Sequence, residues 1–144
     1  TIYNYYESKA DLLGDTIESI WREIFFNPED EQVFKDVAAC ISWIYKRLEY
    51  GNEQFPGFFS LHSLGFMKDE KMDGKKKMLQ TWGHILNGLC DILKNDPKIR
   101  PDVFDEQFTE KQFADILFSL ILVSMIRQDY NPSSILMLIN KTLY

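Results

Sequence analysis

The side chains with the clearest chemical purpose stand together at the start of the chain. Tyr3, Tyr5 and Tyr6 end in phenol hydroxyls that can hydrogen-bond phosphate oxygens, and Lys9 adds a cation close by. Ser8 is a good helix N-cap, Asp11 follows it as in a near capping box, and Leu12 and Leu13 open an apolar helical period. A helix therefore starts at Lys9, with the positive end of its dipole beside the tyrosines and the lysine. This is chemistry for clamping a phosphate backbone.

Catalytic constellations are missing from the sequence. There is no P-loop, no Gly-x-Gly-x-x-Gly, no Gly-x-Ser-x-Gly and no His-Glu-x-x-His. His62, His84, Cys40 and Cys90 are potential donors to a soft metal, yet no two stand at a short ligand spacing, so neither a metal nor a cofactor is expected. The histidines read instead as hydrogen-bonded helix residues, with His62 a candidate polar contact in an otherwise apolar pocket. Aspartates and glutamates fall mostly on polar faces, which leaves paired-carboxylate catalysis without support, and the chain is not expected to be an enzyme.

Residues 1–13 resemble the end of the recognition helix and the following turn in the tetracycline-repressor (TetR) type transcription regulators, whose pattern is Thr-x-Tyr-x-Tyr/His-Phe-x-Ser-Lys-x-x-Leu-Leu. Thr1, Tyr3, Tyr5, Ser8, Lys9, Leu12 and Leu13 match; Tyr6 departs, standing where the family has a Phe packed inside the DNA-binding domain. The resemblance implies that Thr1, Tyr3, Tyr5 and Lys9 contact DNA phosphates. It also implies that residues 1–8 end a helix-turn-helix domain whose earlier helices lie upstream of Thr1, and that residues 9–144 form a ligand-binding and dimerisation domain. Beyond the motif, the chain agrees with the family only as an all-helical pattern.

Composition sets limits on these expectations. Sixteen basic against 22 acidic residues give −6, the wrong sign for a free-standing nucleic-acid binder. DNA contact then has to come from the N-terminal end, and an acidic effector domain limits nonspecific binding through repulsion. At 45% hydrophobic and 15% aromatic, 144 residues can bury a substantial single-domain core. The two cysteines sit in apolar helical patterns and suggest no secreted disulfide scaffold, so a reducing cytoplasm is the default. The longest apolar run, Phe113 to Ile126, is interrupted by Asp115 and falls short of the about 20 residues a bilayer needs; no membrane partner is expected.

The elements that must position these residues read as helices throughout. From Lys9 to about Phe26, Leu13, Thr16, Ile17, Ile20 and Ile24 share a face, with Trp21 and Phe25 on its flank, until Asn27-Pro28 stops the helix. In the family this helix links the DNA-binding domain to the effector core. A second helix is expected from about Asp30 to Tyr50, its C-terminal dipole complemented by Lys46 and Arg47 and its end marked by Gly51 as C′ residue. Trp43 falls roughly 140° from the centre of that helix's apolar stripe and needs a neighbour elsewhere, in a second core layer, a partner surface or a pocket wall. Pro56 opens a short aromatic helix to about Met67, followed by a solvated polar stretch from Lys68 to Lys77.

Lys75 to Leu93 form the next long, core-facing helix. Gly83 and Gly88 lie inside it at about 1 kcal/mol each relative to alanine, which calls for either a close-packed helix or room for a ligand beside Trp82. Lys94 to Phe108 is a connector with one helical turn. Thr109 and Gln112 then make a capping box for a helix that is apolar nearly all round. Such a helix is covered on every side, so one side is expected to meet a second copy of the chain. Asn131-Pro132 caps a last helix to Tyr144. The final two helices resemble the family's dimerising pair, which implies an interface through Phe118, Leu122, Met125, Ile126, Ile135, Leu138 and Ile139.

The expectation is an all-α helical bundle that acts as a ligand-responsive transcription regulator, a repressor, bound as a homodimer to double-stranded operator DNA. Its small hydrophobic or aromatic effector would lie among Trp21, Phe25, Phe58, Phe59, His62, Phe66 and Trp82, a surplus of rings over what a core needs. The alternative is a helical, dimeric protein-interaction module with a filled core and no small-molecule pocket.

Overall fold

The computed structural model describes residues 19–25, 34–56, 58–59 and 73–144, without the side chains of residues 73–78 and 81. Every regular element among them is a helix: α1 (residues 19–25), α2 (Val37–Gln54), α3 (Asp73–Asn95), α4 (Glu110–Arg127) and α5 (Ser133–Leu143). The fold class is all-α. Helix α3 packs along α4, and α2 packs against both α3 and α5. The core is built from Val37, Ile41, Ile44 and Leu48 of α2, Leu89 and Leu93 of α3, Leu117 and Ile121 of α4, and Ile139 and Leu143 of α5. Tyr45 adds a polar tie to α4 through a 2.7 Å hydrogen bond between its hydroxyl and that of Ser124.

Helix ends follow their capping residues. Thr109 and Gln112 form the expected capping box at the start of α4, with Gln112 N donating to Thr109 Oγ1 at 3.2 Å and Thr109 N to Gln112 Oε1 at 2.7 Å. The N-cap of α5 is Pro132, which makes no side-chain capping bond, and Asn131 just before it accepts at Oδ1 from Ser133 N at 3.0 Å and from Ser133 Oγ at 2.6 Å. The connector from α3 to α4 has hydrogen-bonded turns, Ile99 N to Asp96 O and Val103 N to Arg100 O, in place of the expected helical turn. Phe104 and Phe108 fasten it to α4, each with its ring centroid 5.9 Å from that of Phe113.

At α2 the sequence expectation needs correction at both ends. Residues 34–36 are not helical, and the helix starts at Val37 because Asp36 is its N-cap, with Oδ1 accepting from Ala39 N at 2.7 Å. It runs on to Gln54, so Gly51 lies inside the helix. A Cβ at Gly51 would stand 2.7 Å from Ile24 Cδ1 and 3.1 Å from Phe59 Cζ, so this glycine admits α1 and Phe59 at close range. Arg47, expected to serve the dipole of its own helix, donates instead to the carbonyls of Glu23 and Ile24 in α1, and its guanidinium lies 4.3 Å from the Tyr50 ring centroid. Of the two reasons expected for Gly83 and Gly88, the close-packed helix finds no support among the described residues, where a Cβ at either would meet nothing within 4 Å.

One carboxylate ties the far end of the bundle together. Asp96, 8% exposed, follows α3. Its Oδ2 accepts from Val37 N at 3.1 Å and from the Tyr144 hydroxyl at 2.6 Å, while Oδ1 accepts from Lys98 N at 2.9 Å. Burial, and then the bond to Asp96, pushes the Tyr144 phenol well above its ordinary range, which keeps it a donor. Beside it, Lys98 Nζ meets Asp36 Oδ2 at 2.9 Å; that bond, with the one from Ala39 N, holds the Asp36 carboxyl below its usual value. Arg100 completes the join, its N donating to Leu143 O at 2.8 Å and its Nη2 to Thr142 O at 2.9 Å.

Asp96→Ala leaves Val37 N, Lys98 N and the Tyr144 hydroxyl without their acceptor and is expected to cost about 3 kcal/mol, lowering the melting temperature by about 10 °C in calorimetry. A change within about 1 °C would show that the carboxylate does not hold these elements together. Gly88→Ala, in an exposed helical position, is expected to raise stability by about 0.5–1 kcal/mol in urea unfolding; a loss would mean that something covers Gly88.

Candidate functional site

The candidate site grows from α1, whose short described span carries two rings on one flank. Trp21 is 2% exposed and stands at the centre of a ring cluster. Its ring centroid lies 5.7 Å from Phe25 of the same helix, 5.2 Å from Phe58 and 5.7 Å from Phe59 after α2, and 6.3 Å from Trp82 of α3. These are contact distances for aromatic pairs, mixed between stacked and edge-to-face geometries. The cluster continues on both sides. Phe25 reaches Trp43 at 6.5 Å and Trp43 reaches Phe34 at 5.4 Å, while Trp82 reaches Phe118 of α4 at 5.7 Å.

Five of the residues expected around an effector, Trp21, Phe25, Phe58, Phe59 and Trp82, therefore come together from three stretches of chain. His62 and Phe66 lie outside the described residues, as do Thr1, Tyr3, Tyr5 and Lys9 of the phosphate-clamp motif. Phe34 and Phe118 join the cluster unforeseen, and Trp43 joins it too, a pocket wall having been one of its three expected settings. Trp43 had a signal, its offset from the α2 stripe, and the neighbour it required is α1. Phe118 had none, because a helix that is apolar nearly all round gives no period from which to read a direction.

Chemically the cluster is a neutral, carbon-rich surface with two polar atoms in it. The indole Nε1 of Trp21 and that of Trp82 are both buried and have no hydrogen-bond partner among the described residues. A buried N–H left unpaired costs about 1–3 kcal/mol, so two in adjoining rings are a feature that calls for a reason. Cys40 of α2 is buried, which pushes its thiol up to about 12 and keeps it protonated.

The last two helices divide differently from the expected interface. Met125, Ile135 and Ile139 are buried in the protomer's own core, and Phe118 and Leu122 are half-buried against it. Of the expected set, Ile126 and Leu138 are exposed. The other large apolar residues that α4 and α5 leave exposed are Ile116, Val123 and Met137, with Ile116 and Val123 two turns apart on one line of α4. Among the described residues, no helix is long and apolar enough to cross a membrane. No protein-family model, curated protein or solved structure matches the chain.

If the Trp21 N–H is unpaired, Trp21→Phe removes an unsatisfied donor along with part of the ring. It is expected to cost less than about 1.5 kcal/mol, against about 3–5 kcal/mol for Trp21→Ala, by urea unfolding. Equal losses for the two variants would mean that the indole nitrogen makes a bond that contributes to the fold.

Proposed function

We propose that the chain belongs to a ligand-responsive, DNA-binding transcription repressor of the TetR type, of which it supplies the effector-binding and dimerisation domain. One observation carries this reading. The helical segment that follows the phosphate-clamp motif bears Trp21 and Phe25, and the aromatic cluster is assembled on those two rings. A small hydrophobic or aromatic effector entering the cluster would press on α1 directly. Arg47 holds the carbonyls of Glu23 and Ile24, so movement of α1 is resisted by α2 and has two polar bonds to break or carry along.

In the proposed mechanism, effector binding shifts the population between two settings of α1 and changes the separation of the two DNA-binding heads. Their match to half-sites about 34 Å apart in the major groove is then lost, and repression is relieved. An effector that fits both settings equally well would shift nothing. The dimer this requires has a candidate face in the exposed apolar residues of α4 and α5, Ile116, Val123, Ile126, Met137 and Leu138. The direct ring-to-ring packing around Trp21 favours a second reading, a dimeric interaction module whose core is already filled.

A gel shift separates the two. The intact protein and the DNA upstream of its own gene, at a stated salt concentration with nonspecific competitor, are expected to give a saturable shift that hydrophobic compounds release. No shift at any salt would reject the regulator, and a shift untouched by compounds that quench tryptophan emission would reject effector control.

A further inference from the structure

We propose that the compound received by the aromatic cluster is a neutral ketone or other carbonyl compound with a flat apolar body, its oxygen accepting from the indole N–H groups of Trp21 and Trp82. The inference rests on the ligand-binding reading above and specifies its chemistry. Trp21 comes from α1 and Trp82 from α3, their rings meet edge to face at 6.3 Å and 87°, and each brings one buried donor without a partner among the described residues. An indole nitrogen donates and never accepts, so whatever satisfies this pair must supply acceptors.

Three candidate acceptors are separated by what surrounds the pair. A trapped water has two hydrogens of its own to place and needs two to four polar partners, while the aromatic neighbours of Trp21 among the described residues are, besides Trp82, the hydrocarbon rings of Phe25, Phe58 and Phe59. Water would exchange two unsatisfied donors for two others. A carboxylate accepts well, but it would bring a charge among rings that, among the described residues, supply no countercharge of their own. A carbonyl oxygen has two lone pairs, no hydrogen and no net charge, and the remainder of its molecule can lie against the ring faces. Because the two donors belong to different helices, the bound oxygen would join α1 to α3. That supplies a contact made in one setting of α1 and lost in another, which a ligand needs in order to shift a population.

Matched pairs of probes that differ only in the carbonyl test the proposal: 9-fluorenone against fluorene, and benzophenone against diphenylmethane, titrated into the full chain carrying ¹⁵N-labelled indoles. The ketone of at least one pair is expected to bind at least about tenfold more tightly than its hydrocarbon, moving the Trp21 and Trp82 indole resonances downfield while that of Trp43 stays. In Trp21→Phe and Trp82→Phe that preference should fall toward equality. Binding of both members of a pair with equal affinity, with the two indole resonances unmoved, would overturn the carbonyl assignment and leave the pocket standing. Binding of no probe from either pair would overturn the pocket itself and this inference with it. Indole resonances already at hydrogen-bonded positions in the free protein would show an internal acceptor and would also reject the proposal.

Discussion

The bundle depends on the acceptor capacity of a single buried carboxylate. Asp96 closes α3, bonds the first N–H of α2 and takes the hydroxyl of Tyr144 beyond α5, so the ends of three helices meet on one side chain. Buried charge is tolerated when its lone pairs are used, and here backbone and phenol donors use them. Asp36, Lys98 and Arg100 surround the same junction with bonds of their own. Helix dipoles add to it, since the carboxylate of Asp96 sits at the positive end of α2.

The opposite end of α2 is held by different physics. Gly51 lies about 20 Å along the helix from Val37, and there α1 is attached through ring contacts, through the close approach of Ile24 to Gly51, and through Arg47 on two carbonyls. Ring packing is non-directional compared with a carboxylate bonded to fixed N–H groups, and alternative packings of similar rings differ by little. The molecule is tied through a carboxylate at the Asp96 end and packed through aromatics at the α1 end, where the proposed effector would act. The unpaired indoles lie in that same region.

Long-range placement explains where sequence reasoning succeeded and where it went astray. The capping box of Thr109 and Gln112 and the start of the last helix after Asn131-Pro132 were legible, because each depends on groups within three residues of one another. Most of the ring cluster was legible as a set, since Trp21, Phe25, Phe58, Phe59 and Trp82 exceed what their stripes need. Arg47 and Gly51 were misread because their local context suits a helix end, and the residues that claim them belong to another helix. Asp96 attracted no notice at all: in a polar connector it resembles any solvated acid, and the partners that bury it are 59 and 48 residues away.

By itself the amino-acid sequence determined the all-helical class, the capping box of α4, the start of α5, and the apolar stripes from which the core is built. Those follow from hydrogen bonds and periodicities that repeat within one or two turns of chain. Only the tertiary structure decided which side chains serve a neighbouring helix, which apolar residues of α4 and α5 stay exposed, and that two neighbouring indole rings each bury a donor with no partner among the described residues. Each of those outcomes depends on what another element brings to the same place, and residues that meet through folding leave no spacing in the sequence from which to read it.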